Sequence, residues 1–298
     1  MIRNAEHAVI YTGAGISTAA KLPDYRGTDG MWTNKDRGTD QKGQYCATIS
    51  DALPTYSHLA IAELVKRNLI KSVISTNVDG LHMRTGLKRL ENLAELHGNS
   101  YLEICEECGT QYLREKDVLQ YQTADHRAVN RHWCGGYCEK AECNGKLLDT
   151  IVAFKEFLPG DQLHYAVEES KKGDLAIVLG STMMVAPACD LPTEITSKPN
   201  GKLVICNLQK TPFDNDAQFL VHAYLDDLWY LIMKELDISV PTTIERQING
   251  TSCSCELEFS FESDNEMEDK YNKKRAESLK KYQEILNDKE SQSGNALT

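Results

Sequence analysis

Ala8-Val9-Ile10-Tyr11-Thr12-Gly13-Ala14-Gly15-Ile16-Ser17-Thr18 is the stretch on which the reading of this chain turns. A short, continuous apolar run feeds a glycine pair and then a potential helix start. Such a turn brings unpaired backbone N–H groups and a positive helix end to one point, which suits a phosphate. The stretch departs from the usual dinucleotide fingerprint: Thr18 stands where the third glycine belongs, and no strand ending in an acidic residue follows at the usual distance. A polar, turn-rich loop follows instead, Leu22-Pro23-Asp24-Tyr25-Arg26-Gly27-Thr28-Asp29-Gly30-Met31-Trp32. A Gly-Ala-Gly turn on its own also fits a purely structural tight turn, so the nucleotide reading depends on what lies downstream.

Further continuous, β-branched apolar runs at 72–75, 150–154, 175–179 and 203–206 join that of 8–11 as expected buried parallel strands, because they do not alternate. Residues 56–67 and 163–172 place apolar side chains at helical spacing opposite charges, and 226–236 does so behind acidic residues suited to a helix N-terminus. Alternating strands and helices imply an α/β fold, a Rossmann-like doubly wound parallel sheet that binds ligands at the carboxyl ends of its strands. Gly13, Asn77, His97, Gly180 and Asn207 each follow an apolar run, so one crevice is expected to collect them.

The chain has 298 residues and 41% hydrophobic content, enough for one sizeable core and a smaller attached module. No apolar run approaches a membrane span and residues 1–8 lack the apolar stretch of a signal peptide, so a soluble intracellular protein with no membrane partner is expected. Ten cysteines without an export signal point to reduced thiols and a metal site rather than disulfides. The net charge of −11 argues against a body that grips nucleic acid by bulk charge.

Within 105–143 the strand–helix alternation gives way to turn-rich, cysteine-bearing sequence. Cys105 and Cys108 have the x2 spacing that lets two thiolates from one turn reach a tetrahedral zinc at about 2.3 Å. Cys134, Cys138 and Cys143 are three candidates for the two remaining positions, and their spacing does not choose among them. After Pro241 the chain turns rich in Ser, Asn, Glu and Lys, which predicts a largely disordered, mixed-charge tail over 241–298 behind a catalytic domain of residues 1–240. Lys273-Lys274-Arg275 with Lys280-Lys281 reads either as a nuclear-import patch or as one solvated face of a charged helix.

Four further segments weigh toward the nucleotide reading: Ser75-Thr76-Asn77-Val78-Asp79-Gly80-Leu81-His82, Glu95-Leu96-His97-Gly98-Asn99, Cys105-Glu106-Glu107-Cys108 with the later cysteines, and Val178-Leu179-Gly180-Ser181-Thr182. In this order and at these distances the set closely resembles the sirtuins, the NAD-dependent protein deacylases, from about Ala8 to about Leu236. The Pro23-Asp24-Tyr25-Arg26-Gly27 loop and Asn207-Leu208-Gln209 look most like the nuclear branch that includes human sirtuins six and seven.

The resemblance implies NAD and a structural zinc. Gly13, Ala14, Gly15 and Thr18 would hold the pyrophosphate, while Gly180, Ser181, Thr182, Asn207, Gln209 and Leu225 correspond to adenosine contacts. Asn77 and Asp79, two apart in an extended segment, would point the same way and line the nicotinamide pocket; Asp79-Gly80 is also a common turn pair. Asp24, Tyr25, Arg26 and Trp32 match a mobile loop that closes over NAD and excludes water. His97 matches the general base, taking a proton from a ribose hydroxyl after the acyl-lysine oxygen has displaced nicotinamide. Val152 and Phe154 would line the acyl-lysine tunnel, with the substrate backbone pairing as a strand beside them. A zinc module at about 100–149 is implied: Cys143, before Asn144-Gly145-Lys146, matches the last ligand, and Cys134, after Arg131-His132-Trp133, matches the third better than Cys138 does.

Departures accompany the matches. Thr76 stands where the family almost always has a glutamine that reaches the NAD ribose, and Phe154-Lys155-Glu156 replaces an aromatic-glycine-glutamate. The chain also begins almost at its first strand, where the nuclear relatives have a longer N-terminal part. The expected activity is NAD-dependent deacylation of protein lysines, histone tails and chromatin included, in the nucleus or the cytoplasm. Transfer of ADP-ribose to protein is the first alternative, and a weakly active NAD-binding chromatin scaffold the second.

Overall fold

The opening run forms β1 (Ala8–Thr12), all five residues of which are buried. Along the chain follow β2 (Ser72–Ser75), β3 (Leu93–Glu95), β4 (Leu102–Cys105), β5 (Gln111–Leu113), β6 (Trp133–Tyr137) and β7 (Lys146–Asp149). After them come β8 (Leu175–Leu179), β9 (Lys202–Cys206), β10 (Phe219–Val221), β11 (Thr243–Ile248) and β12 (Thr251–Glu256). The helices are α1 (Tyr56–Lys66), α2 (Leu81–Arg84), α3 (Gly160–Lys172), α4 (Leu191–Thr196) and α5 (Leu225–Glu235). This computed structural model describes residues 1–24, 30, 33, 37, 52–121, 132–153, 155–248, 251–259 and 261.

Six strands make one parallel sheet in the order β10-β9-β8-β1-β2-β3. β1 and β8 sit at its centre, with Ala8 opposite Leu175 and Val9 opposite Ser72. Both are buried throughout, as continuous apolar strands covered on both faces must be. On one face Ala166 of α3 and Leu191 and Ile195 of α4 pack with Val9, Val178 and Leu203. α1 and α5 pack against each other. α1 opens on a capping box, in which the Thr55 side chain accepts from the His58 amide and the His58 ring accepts from the Thr55 amide. The first turn of α5 supplies Asp226, whose Oδ1 accepts from the Ser57 amide at 2.9 Å and its hydroxyl at 2.5 Å. Leu225, Trp229 and Met233, four residues apart, form its buried stripe. Full burial of each is worth about 1.5–3 kcal/mol.

The four antiparallel strands between β3 and α3 form the inserted module, in the order β5-β4-β7-β6. Among the described residues no helix is long and apolar enough to cross a membrane.

Three expectations require correction. The glycine turn leads into two three-residue 3₁₀ turns, Ala14–Ile16 and Thr18–Ala20, and not into an α-helix. Ile16 and Ser17 donate to carbonyls three residues back, and Lys21 at φ +63° ends the run. The expected strand at 150–154 is absent as far as residue 153. Thr150 and Val152 bond the turn after β3, and the short β3 takes the place at the sheet edge. The tail expected from residue 241 begins instead with a hairpin: β11 pairs antiparallel with β12, Ile248 opposite Thr251. The sequence between them is Asn-Gly, the pair a two-residue hairpin loop favours, and Ile244 and Leu257 are buried. The first compact unit accordingly runs Met1–Leu257. Of the second, Glu258–Thr298, only Glu258, Phe259 and Phe261 are described, and the basic patch at 273–281 lies outside the described residues.

Candidate active site

The carboxyl ends of β1, β2, β3, β8 and β9 open onto one cavity of about 560 Å³. That lies within the roughly 300–1,000 Å³ usual for small-molecule sites. Its lining includes Gly13, Ala14, Gly15, Asp24, Thr76, Asn77 and His97 from the first half of the chain. The second half contributes Val152, Gly180, Ser181, Thr182, Asn207 and Gln209. Thirteen expected site residues therefore meet at one place. Thr18 does not line it; its hydroxyl donates to the Gly15 carbonyl at 3.0 Å. Leu225 is a buried residue of the α5 face and is also outside the lining. Tyr25, Arg26, Trp32 and Phe154 lie outside the described residues.

The glycine turn packs against a second glycine. Gly15 donates to the Gly180 carbonyl at 2.9 Å, and Gly13 donates to Leu179 at 3.0 Å. A Cβ on Gly15 would stand 2.7 Å from the Gly180 Cα, and Gly180 itself has φ +60°. These glycines let the ends of β1 and β8 touch, and two of the amides expected to face a phosphate are already paired with carbonyls.

His97 sits in the turn after β3. Gly98, at φ +84°, brings that turn so close to Thr150 that no Cβ fits between them. Val152 donates to the His97 carbonyl at 3.0 Å, and the Thr150 hydroxyl bonds both the amide and the carbonyl of Asn99. Nδ1 of His97 lies 3.0 Å from the Thr76 carbonyl oxygen. A carbonyl only accepts, so Nδ1 carries the hydrogen and Nε2 keeps its lone pair. Burial lowers the imidazole pKa below its ordinary value, against the opposing effect of the Thr76 bond. The ring is a neutral base at neutral pH.

Behind His97, Glu95 accepts from the Asn99 amide at 2.8 Å and pairs with Arg89 at 3.3 Å. Burial pushes its carboxyl up to about 8.

Asn77 donates to the Gly13 carbonyl at 3.1 Å, joining the ends of β1 and β2. Asp79 is buried but outside the cavity lining; it accepts from Ser17 and from the Leu81 amide at the start of α2. Ser17 is a residue the sequence reading passed over, and its signal was a small hydroxyl residue four places after the first glycine of the turn. The hydroxyl of Thr76 donates to the Thr12 carbonyl at 3.1 Å, so the departure from glutamine leaves a side chain engaged with its own sheet. Beneath the turn, His82 meets the Thr12 hydroxyl at 3.0 Å, and its ring lies 4.7 Å from that of His58 at a tilt of 54°.

In the inserted module the sulfurs of Cys105, Cys108, Cys138 and Cys143 all lie within 4.8 Å of one another. Cys105 and Cys143 are 3.6 Å apart, as are Cys108 and Cys138. Tetrahedral zinc with bonds of about 2.3 Å separates its sulfurs by about 3.8 Å, so the four thiols fit one zinc ion. A hydrogen bond with Thr110 draws the Cys108 thiol down to about 6, toward the thiolate. The expected third ligand, Cys134, is thereby corrected to Cys138. Cys134 is buried within β6 and donates to the His132 carbonyl, while Cys138 follows the strand's end. Four extended residues span about 13 Å, which keeps the two out of one coordination shell.

A model of the Sir2 family matches residues 43–187. The NAD-dependent protein deacetylase SRT1 of Arabidopsis thaliana is 39% identical over 241 residues, covering 81% of this chain and 49% of its own length. The NAD-dependent protein deacetylase Sirt6 of Drosophila melanogaster is 35% identical over 267 residues, covering 89% of this chain and 82% of its own. The chain thus spans about half the length of the first of these relatives and most of the second. A structure solved as Sir2 with a p53 peptide and NAD⁺ superposes with a TM-score of 0.59 at 33% identity, covering 80% of this chain and 96% of that one.

Proposed function

The chain belongs to the Sir2 family, and from that membership we propose that it is an NAD-dependent protein-lysine deacylase, releasing nicotinamide and an O-acyl-ADP-ribose. The observation that carries the reading is His97, a half-buried neutral imidazole on the wall of the strand-end cavity with its Nδ1 hydrogen held by the Thr76 carbonyl. That bond fixes the tautomer whose Nε2 receives a proton, the requirement for a general base.

NAD supplies the leaving group and the acyl acceptor. Gly180, Ser181, Thr182, Asn207 and Gln209 bind its adenosine half, and the turn at Gly13–Gly15 faces its pyrophosphate. Asn77 orients the nicotinamide end, held in place by Gly13. Asp79 supports that end through Ser17. Val152, tied to the His97 backbone, positions the acyl-lysine beside the base. The partner is an acylated protein, with chromatin proteins and histone tails among its candidates, and the nuclear branch of the resemblance favours residence in the nucleus. The cysteine cluster binds a structural zinc: four thiolates close its shell and leave no place for water.

Mass spectrometry of an acetylated histone peptide incubated with the protein and NAD tests the reading. O-acetyl-ADP-ribose is the expected product. ADP-ribosylated protein instead would make the chain a transferase, and neither product would leave a binding protein.

A further inference from the structure

Lys155 is the only lysine or arginine among the described residues that line the cavity. It is exposed and pairs with no carboxylate among the described residues. Its neighbour Glu156 accepts from the Ala153 amide at 2.8 Å and lies 3.5 Å from His132, so that carboxylate is occupied elsewhere. The Lys155 backbone has φ +75°, a left-handed conformation that glycine adopts freely and a side chain makes unfavourable. A residue held against its backbone preference on a cavity wall points to a use for its side chain.

Position indicates the use. Lys155 is three residues beyond Val152, whose amide donates to His97, and three residues span at most about 10 Å. An acyl-lysine that reaches the base leaves its own peptide backbone at the exposed edge of the cavity, which is where the exposed, cavity-lining Lys155 stands. We propose that Lys155 selects peptides that carry an aspartate or glutamate beside the acyl-lysine. The identity of the ligand rests on the deacylase reading. The protein's net charge of −11 repels an acidic peptide at long range, so the selection is a short-range, salt-sensitive contact.

The test uses the full chain and three fluorescent acetyl-lysine peptides that differ only in a flanking Glu, Gln or Lys. Their affinities are measured by anisotropy for wild type, Lys155→Gly and Lys155→Glu, with NAD titrated in parallel. Wild type should bind the Glu peptide about two- to fivefold more tightly than the Gln peptide, the range of an exposed charge pair. The ranking should vanish in Lys155→Gly, reverse in Lys155→Glu and shrink in 1 M salt. Lys155→Gly should melt no lower than wild type, since glycine suits the backbone there. Equal binding by wild type, a ranking that survives Lys155→Gly, or an altered NAD affinity with an unaltered ranking would each overturn the proposal. Because binding is read without turnover, the two readings fail separately. Peptides ranked by charge but never deacylated would remove the deacylase reading alone, and deacylation without ranking would remove only the role of Lys155.

Discussion

The Ser17 hydroxyl donates to the Asp79 carboxylate across 2.6 Å, and the Asn77 amide nitrogen stands 3.4 Å from the same hydroxyl. One small side chain therefore couples the glycine turn after β1 to the loop after β2. The contact holds Asp79 behind the cavity wall, and the same carboxylate caps α2 through the Leu81 amide. Asn77 faces the cavity; Asp79 braces it.

The corrected cysteine set gives a direct test. Cys105→Ser, Cys108→Ser, Cys138→Ser and Cys143→Ser should each lose zinc, stability and solubility together, because metal binding supplies folding energy. Cys134→Ser should keep one zinc per chain by elemental analysis. Retention of zinc and melting temperature in Cys138→Ser would return the third position to Cys134.

Thr76→Gln should lower the KM for NAD about two- to tenfold, the value of one added hydrogen bond of roughly 0.5–1.5 kcal/mol. The substitution gives up the bond to the Thr12 carbonyl but leaves the Thr76 carbonyl, and with it the His97 tautomer, in place. Steady-state kinetics in NAD decide the matter; a raised KM would mean that the bond to Thr12 is needed to shape the loop.

His97→Tyr should fold, keep zinc and bind NAD, yet lose deacylation by at least about a hundredfold. For the native enzyme the burial-lowered pKa sets the sign of the pH profile. The base stays unprotonated as pH falls past 6.5, so the acid limb of kcat/KM should lie below that of an ordinary histidine. A limb at or above 6.5 would assign the base elsewhere.

Burial holds His58 and His82 down to about 3, from an ordinary 6.5. Between those values the unfolded chain binds more protons than the folded one, so stability falls as pH drops from 6.5 toward 3. The slope is about 1.4 kcal/mol per pH unit for each ring. His58→Phe removes one ring and the capping-box bond with it. Its melting temperature relative to wild type should therefore rise steadily as pH is lowered, above a constant offset from the lost cap. Parallel curves for the two proteins would show that the ring is not buried neutral.

Much of this site could be read from residues alone because continuous burial leaves an unmistakable pattern. The runs that became β1, β2, β8 and β9 are apolar without alternation, and the ligand-facing residues follow them directly. What escaped depended on contacts distant in sequence. Thr150-Ile151-Val152 is as β-branched as any strand, but its backbone bonds the His97 turn, which no local pattern announces. β3 is three residues long and owes its place to the β2 edge. Cys134 and Cys138 differ only in which one follows the end of a strand. The hairpin of β11 and β12 lay in a polar stretch where the Asn-Gly pair was the one clear signal.

β1 is the earliest strand of the sheet and also its centre, with neighbours drawn from residues 72–75 and 175–179. On the ribosome its second edge stays open until Leu179 has emerged, and β9 and β10 can be added only afterwards. Closing pairings this remote in sequence is slow, since loop entropy is lost before the contacts that offset it form. The N-terminal half alone would leave one edge of the largely apolar β1 unpaired and exposed, a surface prone to aggregation. Productive folding of this protein should therefore be decided late in synthesis, and a chaperone that shields β1 during that interval should raise the yield of folded chain without changing its final stability.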